Sequence, residues 1–242
     1  MPFLPIKDDN PLRLIRFQAV TVTLIVLCAL VFLWQQSLSQ QALWEAWVGY
    51  GLIPAVLTDE AIIPPELVRI PAWLSLVTSM FLHSGYFHLG GNMLFLWVFG
   101  DNIEDATGHA KFLVFFLTCG VIAGLCEILS GPESTVPIVG ASGAIAGVLG
   151  AYLMLHPRRR MLVLIVRAIP IYLHVGIVLV GWIIFQVGAG VWFAGEGGSD
   201  IAWWAHVGGF VAGAALIPLF KRPDVPLFDQ TSVVIHDFRK KT

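Results

Sequence analysis

The sequence predicts an all-α polytopic membrane protein of six transmembrane helices, and three observations carry that prediction. Of 242 residues, 57% are hydrophobic and only 12% charged, a balance far from that of a soluble globular domain. The apolar residues gather into six runs separated by polar, Pro-rich or Gly-rich connections. When these runs are threaded back and forth, thirteen of the fourteen Lys and Arg residues fall on one side, as the positive-inside rule requires.

Taken in order, the first run is Phe17 to Trp34. Arg13 and Arg16 precede it, but it is longer than a signal-peptide core and lacks a small-residue cleavage pattern behind it, so it reads as a retained helix. The connection from Gln35 to Ala72 is rich in Trp, Leu, Ile and Pro with few charges, and is expected to lie in the outer interface. The second and third runs are Ser84 to Phe99 and Phe112 to Leu129. After the breaker-rich segment Ser130–Pro137 comes the fourth, Ser142 to Leu155, closed by Pro157-Arg158-Arg159-Arg160. The fifth is Ile171 to Phe193 and the sixth Ile201 to Phe220, joined by the Gly-rich connection Ala194–Asp200. This divides the chain into a cytoplasmic N-terminal segment (1–16), a six-helix membrane domain (17–220) and a cytoplasmic C-terminal tail (221–242), expected to be mobile after Pro223.

Lys7, Arg13, Arg16, Lys111, Arg158, Arg159, Arg160, Arg167, Lys221, Arg222, Arg239, Lys240 and Lys241 form the cytoplasmic set, leaving Arg69 outside. Both termini are therefore expected in the cytoplasm, with no organellar transit peptide. A bacterial-type inner membrane fits, with outer connections facing the periplasm. The net charge of -2 is sorted by membrane side and gives no basic surface, so nucleic-acid binding is not expected. Cys28, Cys119 and Cys126 sit in apolar runs without metal-ligand spacing, so no metal, cofactor or disulfide is expected.

Function is read from polar residues inside apolar runs, which are expensive there. The run Ser142–Leu155 covers roughly 21 Å of a hydrocarbon core about 30 Å thick. Ser142 is thus held below the outer face, preceded by non-helical backbone that protein or water must satisfy. His206 is fifteen residues before Lys221, about 22 Å above the cytoplasmic boundary. His88 and Asn92 share one helix face at i,i+4 spacing, with His88 about 19 Å above that boundary. Three helices thus bring polar chemistry to one depth. A serine beside a histidine is a nucleophile with its general base, and a neighbouring His and Asn can donate to an oxyanion. Gly140 and Gly143 flank Ser142 and permit a close turn. Gly143 and Gly147, like Gly209 and Gly213, are four apart, a spacing that lets two helices approach and bring Ser142 to His206.

In this order and on these helices, the motifs resemble the rhomboid intramembrane serine proteases. The matching pieces are His88-x-x-x-Asn92, Gly140-x-Ser142-Gly143 and Ala205-His206-x-Gly-Gly-x-x-x-Gly213, with Gly100-Asp-Asn-Ile-Glu104 and Trp182-Ile-Ile-Phe-Gln186 as further likenesses. The resemblance runs from about Leu74 to Leu219. It implies a six-helix rhomboid-like bundle with Ser142 as nucleophile and His206 as base. It further implies an oxyanion hole from His88, Asn92 and the Ser142 N–H, and Gly140 shaping the loop. The implied partners are transmembrane protein substrates cut near the outer membrane face, within surrounding membrane lipids. The fifth run and the Ala194–Asp200 connection are expected to act as gate and cap.

Other classes fit less well. A metalloprotease would need His-Glu-x-x-His, and the chain has no His-Glu dipeptide. An aspartyl protease needs two Asp within spans, whereas Asp101 and Asp105 lie at a helix end. A transporter needs polar residues continuing across the bilayer, and the lower halves of the fourth and sixth runs are largely apolar. The remaining alternative is a catalytically inactive rhomboid-like binder of transmembrane clients. Such relatives typically lack the serine or the histidine.

Overall fold

The computed structural model describes residues 3–165, 169–193 and 201–229. In chain order, strand β1 (Phe3–Asp8) leads to helix α1 (Ala19–Gln36). The short helices α2 (Gln40–Tyr50), α3 (Pro54–Leu57) and α4 (Ser75–Thr78) occupy the long connection. Then come α5 (Tyr86–Thr107), α6 (His109–Ser130) and α7 (Ser142–Leu155). Strands β2 (Arg160–Ile165) and β3 (Ile169–His174) precede α8 (Val175–Phe193) and α9 (Trp203–Phe220). The six apolar runs correspond to α1 and α5 to α9.

Among the described residues, four helices, α1, α6, α8 and α9, are long and apolar enough to cross a membrane. Helix α5 has 22 residues, but His88, Asn92, Asp101, Glu104 and Asp105 lower its apolar character. Helix α7 is only 14 residues long. The two exceptions are the helices that carry His88, Asn92 and Ser142.

Helix α7 is the centre of the bundle. Gly143 through Tyr152 are buried without a break, and α5, α6, α8 and α9 all pack on it. Its closest partner is α9, because glycines face one another across the crossing. A Cβ on Gly209 would collide with the Gly143 carbonyl, and one on Gly213 with the Gly147 carbonyl. In lipid, helix association rests on such packing, since tails are as apolar as the side chains they replace.

The polar end of α5 anchors what precedes it. The Glu104 carboxylate accepts the N–H groups of Val20 and Thr21 at 2.9 and 2.8 Å, satisfying free donors at the start of α1 where a negative charge is favoured. The Asp105 carboxylate takes the N–H groups of Arg13, Leu14 and Ile15 at 3.0, 2.7 and 2.7 Å. The motif Gly100-Asp-Asn-Ile-Glu104 is thus an anchor for the chain entering α1.

Two expectations need correction. The fifth helix does not begin at Ile171: Ile169–His174 is an antiparallel strand paired with β2, and β2 also pairs with β1. The resulting order is β1-β2-β3. Pro170 lacks an N–H and disfavours helix around it, while an edge strand tolerates it. Nor is the tail mobile directly after Pro223. Arg222 N–H bonds to the Ala106 carbonyl, and Phe228 and Asp229 N–H bond to Met154 and Leu155 carbonyls at 2.8 and 2.7 Å. Val225 and Leu227 pack on the core. The basic end Arg239-Lys240-Lys241, Arg167 and the expected cap Ala194–Asp200 lie outside the described residues.

The α7–α9 crossing yields a first test. Gly213→Ala should lower stability by about 1–3 kcal/mol, the usual cost of overpacking. Gly181→Ala on α8, where a Cβ meets nothing within 4 Å, should leave it unchanged or higher. Thermal unfolding of the two variants in detergent measures the difference.

Candidate active site

Ser142 is the first residue of α7, so its N–H is among those that have no carbonyl partner within the helix. His206 lies one turn into α9 and is 8% exposed. Its Nε2 is 2.8 Å from Ser142 Oγ, within hydrogen-bond reach. The glycine crossing sets this distance, because Gly143 follows Ser142 and Gly209 lies three residues beyond His206.

The loop before Ser142 is held by protein. Leu52 and Ile138 exchange backbone hydrogen bonds at 3.0 and 2.7 Å, Ala55 N–H bonds to the Ser134 carbonyl at 3.0 Å, and Gly140 N–H bonds to the Ser79 carbonyl at 2.8 Å. The long connection therefore meets the backbone's need for partners at this depth. Gly140 has φ of +127°, a region that side chains resist. A Cβ there would also lie 2.7 Å from His88 Nε2 and 3.5 Å from Asn92 Nδ2. His88 and Asn92, one turn apart on α5, thus both face the loop that carries Ser142. Gly143 is constrained differently, since its Cβ would lie 2.7 Å from Ala123 Cβ.

Two features give this arrangement chemical direction. Asn92 Nδ2 is buried and has no hydrogen-bond partner among the described residues, which is unusual for a buried donor and marks a place for an acceptor. On the other side, Ser84 Oγ lies 2.9 Å from His88 Nδ1, leaving Nε2 toward Gly140. A neutral His88 whose Nδ1 accepts from the serine hydroxyl presents Nε2–H to the loop.

Several contributors were not anticipated from sequence. Ser84 was one. Glu127 near the end of α6 accepts Ala205 N–H at 2.7 Å, fixing the start of the helix that bears His206; a carboxylate within an apolar run was the available signal. Gln186 Oε1 on α8 lies 2.9 Å from His206 Nδ1. In the sequence Gln186 stands out only as the end of the motif Trp182-Ile-Ile-Phe-Gln186. Trp203 is different, since its place at the start of the His206 helix is legible in the sequence as lining the entrance; it stacks on Phe193 at 6.1 Å and meets His206 edge-on at 6.4 Å, in the α8–α9 contact beside the site.

The family model for the Rhomboid domain matches residues 71–223, which is more than half of the chain and contains every residue of this site. The chain belongs to the rhomboid family. Similar curated proteins include the putative rhomboid protease YdcA of Bacillus subtilis, 30% identical over 152 residues, covering 62% of this chain and 69% of the relative. Rhomboid protease GluP of Bacillus subtilis is 36% identical over 99 residues, 40% of this chain and 19% of that protein. Rhomboid protein 1, mitochondrial, of Saccharomyces cerevisiae is 32% identical over 96 residues, 38% of this chain and 28% of that protein. The matched part therefore spans under a third of the last two relatives. Rhomboid membership and the apolar helices make the chain an integral membrane protein, and the family supports intramembrane serine protease chemistry as a class.

In this rhomboid, His83 ties the long connection between α1 and α5 back to α1. It exchanges two bonds with Gln35, its N–H to Oε1 at 3.0 Å and its carbonyl from Nε2 at 3.1 Å. Burial, with a smaller effect from His88, holds its imidazole at about 4. The folded state therefore disfavours the charged ring. Acidification from pH 6.5 toward 4 protonates the unfolded chain first, and stability is lost over that window by up to about 3 kcal/mol. Thermal unfolding between pH 7 and 4 should fall less steeply in His83→Gln than in the unaltered protein; equal slopes would refute the assignment.

Proposed function

We propose that this chain is an intramembrane serine endopeptidase that hydrolyses transmembrane proteins near the outer membrane face through Ser142 and His206. The observation that carries the reading is the 2.8 Å contact between Ser142 Oγ and His206 Nε2, beside a buried Asn92 amide donor that has no partner among the described residues. His206 accepts the Ser142 proton as Oγ attacks the scissile carbonyl. The resulting oxyanion accepts from the Ser142 N–H, Asn92 Nδ2–H and His88 Nε2–H. The imidazolium then returns its proton to the departing amine, leaving an acyl-serine that water hydrolyses by the same proton route in reverse.

The membrane setting suits helical substrates. A transmembrane helix must unwind before its peptide carbonyl can be attacked, and unwinding in lipid exposes backbone groups at several kcal/mol each. A site below the outer face, reached past α8, lowers that cost. The charge asymmetry supports cytoplasmic termini, with residues 17–220 as the membrane domain between cytoplasmic segments 1–16 and 221–242. A bacterial inner membrane with the site open to the periplasmic side fits this topology.

The test is cleavage, in liposomes, of a fluorogenic transmembrane substrate with a small residue at the cut site. Ser142→Ala and His206→Ala should each reduce kcat at least roughly 10³-fold. Asn92→Ala should cost roughly 10²-fold, the scale of one oxyanion donor. Failure of the folded, unaltered protein across a substrate panel would instead favour the client-binding reading. A crosslink between α5 and α8 should block transmembrane substrates, and unchanged hydrolysis would reject α8 as the gate.

A further inference from the structure

The mechanism above uses Nε2 of His206 and leaves Nδ1 without a task. Gln186 Oε1 lies 2.9 Å from that atom, and Gln186 is only 3% exposed. The amide oxygen can only accept, so in this arrangement Nδ1 carries the imidazole proton and Nε2 the lone pair. That is the tautomer able to take the Ser142 proton. An amide turned the other way would donate to Nδ1, leaving a hydrogen on Nε2 that could only be given to Ser142.

The surroundings restrain the ring further. Trp182, one turn before Gln186 on α8, lies 6.0 Å from the His206 ring between centroids, inclined at 39°. Trp203 closes another side edge-on. Continuing along α8, a Cβ at Gly190 would lie 3.3 Å from Trp203 and Trp204. Trp182, Gln186 and Gly190 recur every fourth residue and form one helix face. That face meets α9 where it carries His206.

We propose that Gln186 is a positioning residue for His206, fixing its tautomer and ring orientation as an uncharged third partner to the Ser142–His206 pair. The inference rests on the protease reading. It makes the placement of α8 a condition of catalysis as well as of access. When α8 leans away from α9, Nδ1 loses its acceptor and the base loses its alignment; when α8 returns, the site is competent. The partner has no charge, so the ring gains direction without a carboxylate buried in the bilayer.

The experiment compares the unaltered protein with Ser142→Ala, Gln186→Met and Gln186→Glu in liposomes. Methionine keeps length and volume but removes the acceptor oxygen; glutamate keeps the oxygen. Two readouts are taken: kcat and KM on the transmembrane substrate, and the rate at which a small fluorophosphonate labels Ser142. The fluorophosphonate needs an activated serine but no unwound substrate helix. Gln186→Met should lower both kcat and the labelling rate by roughly 10- to 100-fold, as misalignment of a catalytic group does, with KM little changed. Gln186→Glu should recover most of both rates. Labelling of Gln186→Met at the unaltered rate, a change confined to KM, or a Gln186→Glu variant no faster than Gln186→Met would each overturn the proposal. Labelling and cleavage by the unaltered protein but not by Ser142→Ala would meanwhile uphold the protease reading on its own. Absence of both in the unaltered protein would remove both.

Discussion

The contact on which the rest of this molecule depends is the backbone approach of α7 and α9. Hydrocarbon gives two apolar helices little reason to associate, so close packing and backbone proximity must do so. Glycines at 143 and 147 face glycines at 209 and 213, where added methyl groups would strike carbonyl oxygens. Ser142 and His206 sit at the end of this seam where both helices begin. Their 2.8 Å separation is a consequence of how near the two main chains lie. The other helices then have defined duties around the pair. Helix α5 brings His88 and Asn92 to the serine loop, α6 holds the start of α9 through Glu127, and α8 reaches the far nitrogen of the histidine.

A second constraint is the unpaired backbone that leads into Ser142. Irregular chain at this depth survives only where protein or water supplies partners. Here the long connection between α1 and α5 supplies them through Leu52, Ala55 and Ser79. That connection is itself tied to α1 by the Gln35–His83 exchange. The chain that would otherwise look like surface decoration is therefore part of the scaffold of the Ser142 loop.

Much of this was legible in the residues. Long apolar runs, and polar residues at matching depth within them, are strong signals because lipid admits few ways of satisfying a polar group. Ser142, His206, His88 and Asn92 stood out for that reason, and the glycine spacing pointed to their meeting. What was missed depends on tertiary partners. Ile169–His174 is apolar enough to extend a membrane helix and becomes a strand only because β2 lies beside it. Residues 221–229 have no strong local pattern and are ordered by carbonyls at the ends of α5 and α7. Ser84 and Gln186 are unremarkable until the two histidine nitrogens they face are known.

The sheet has an implication for how the chain is made. Strand β1 precedes every helix, yet its partner β2 follows α7. Until that later segment has been synthesised, residues 3–8 have no edge to join. Asp105 can take hold of residues 13–15 once α5 exists, but the strand itself must wait. Residues 3–8, which precede all the helices, are thus among the last of the described residues to find their place, and pairing of β1 marks completion of the bundle through α7.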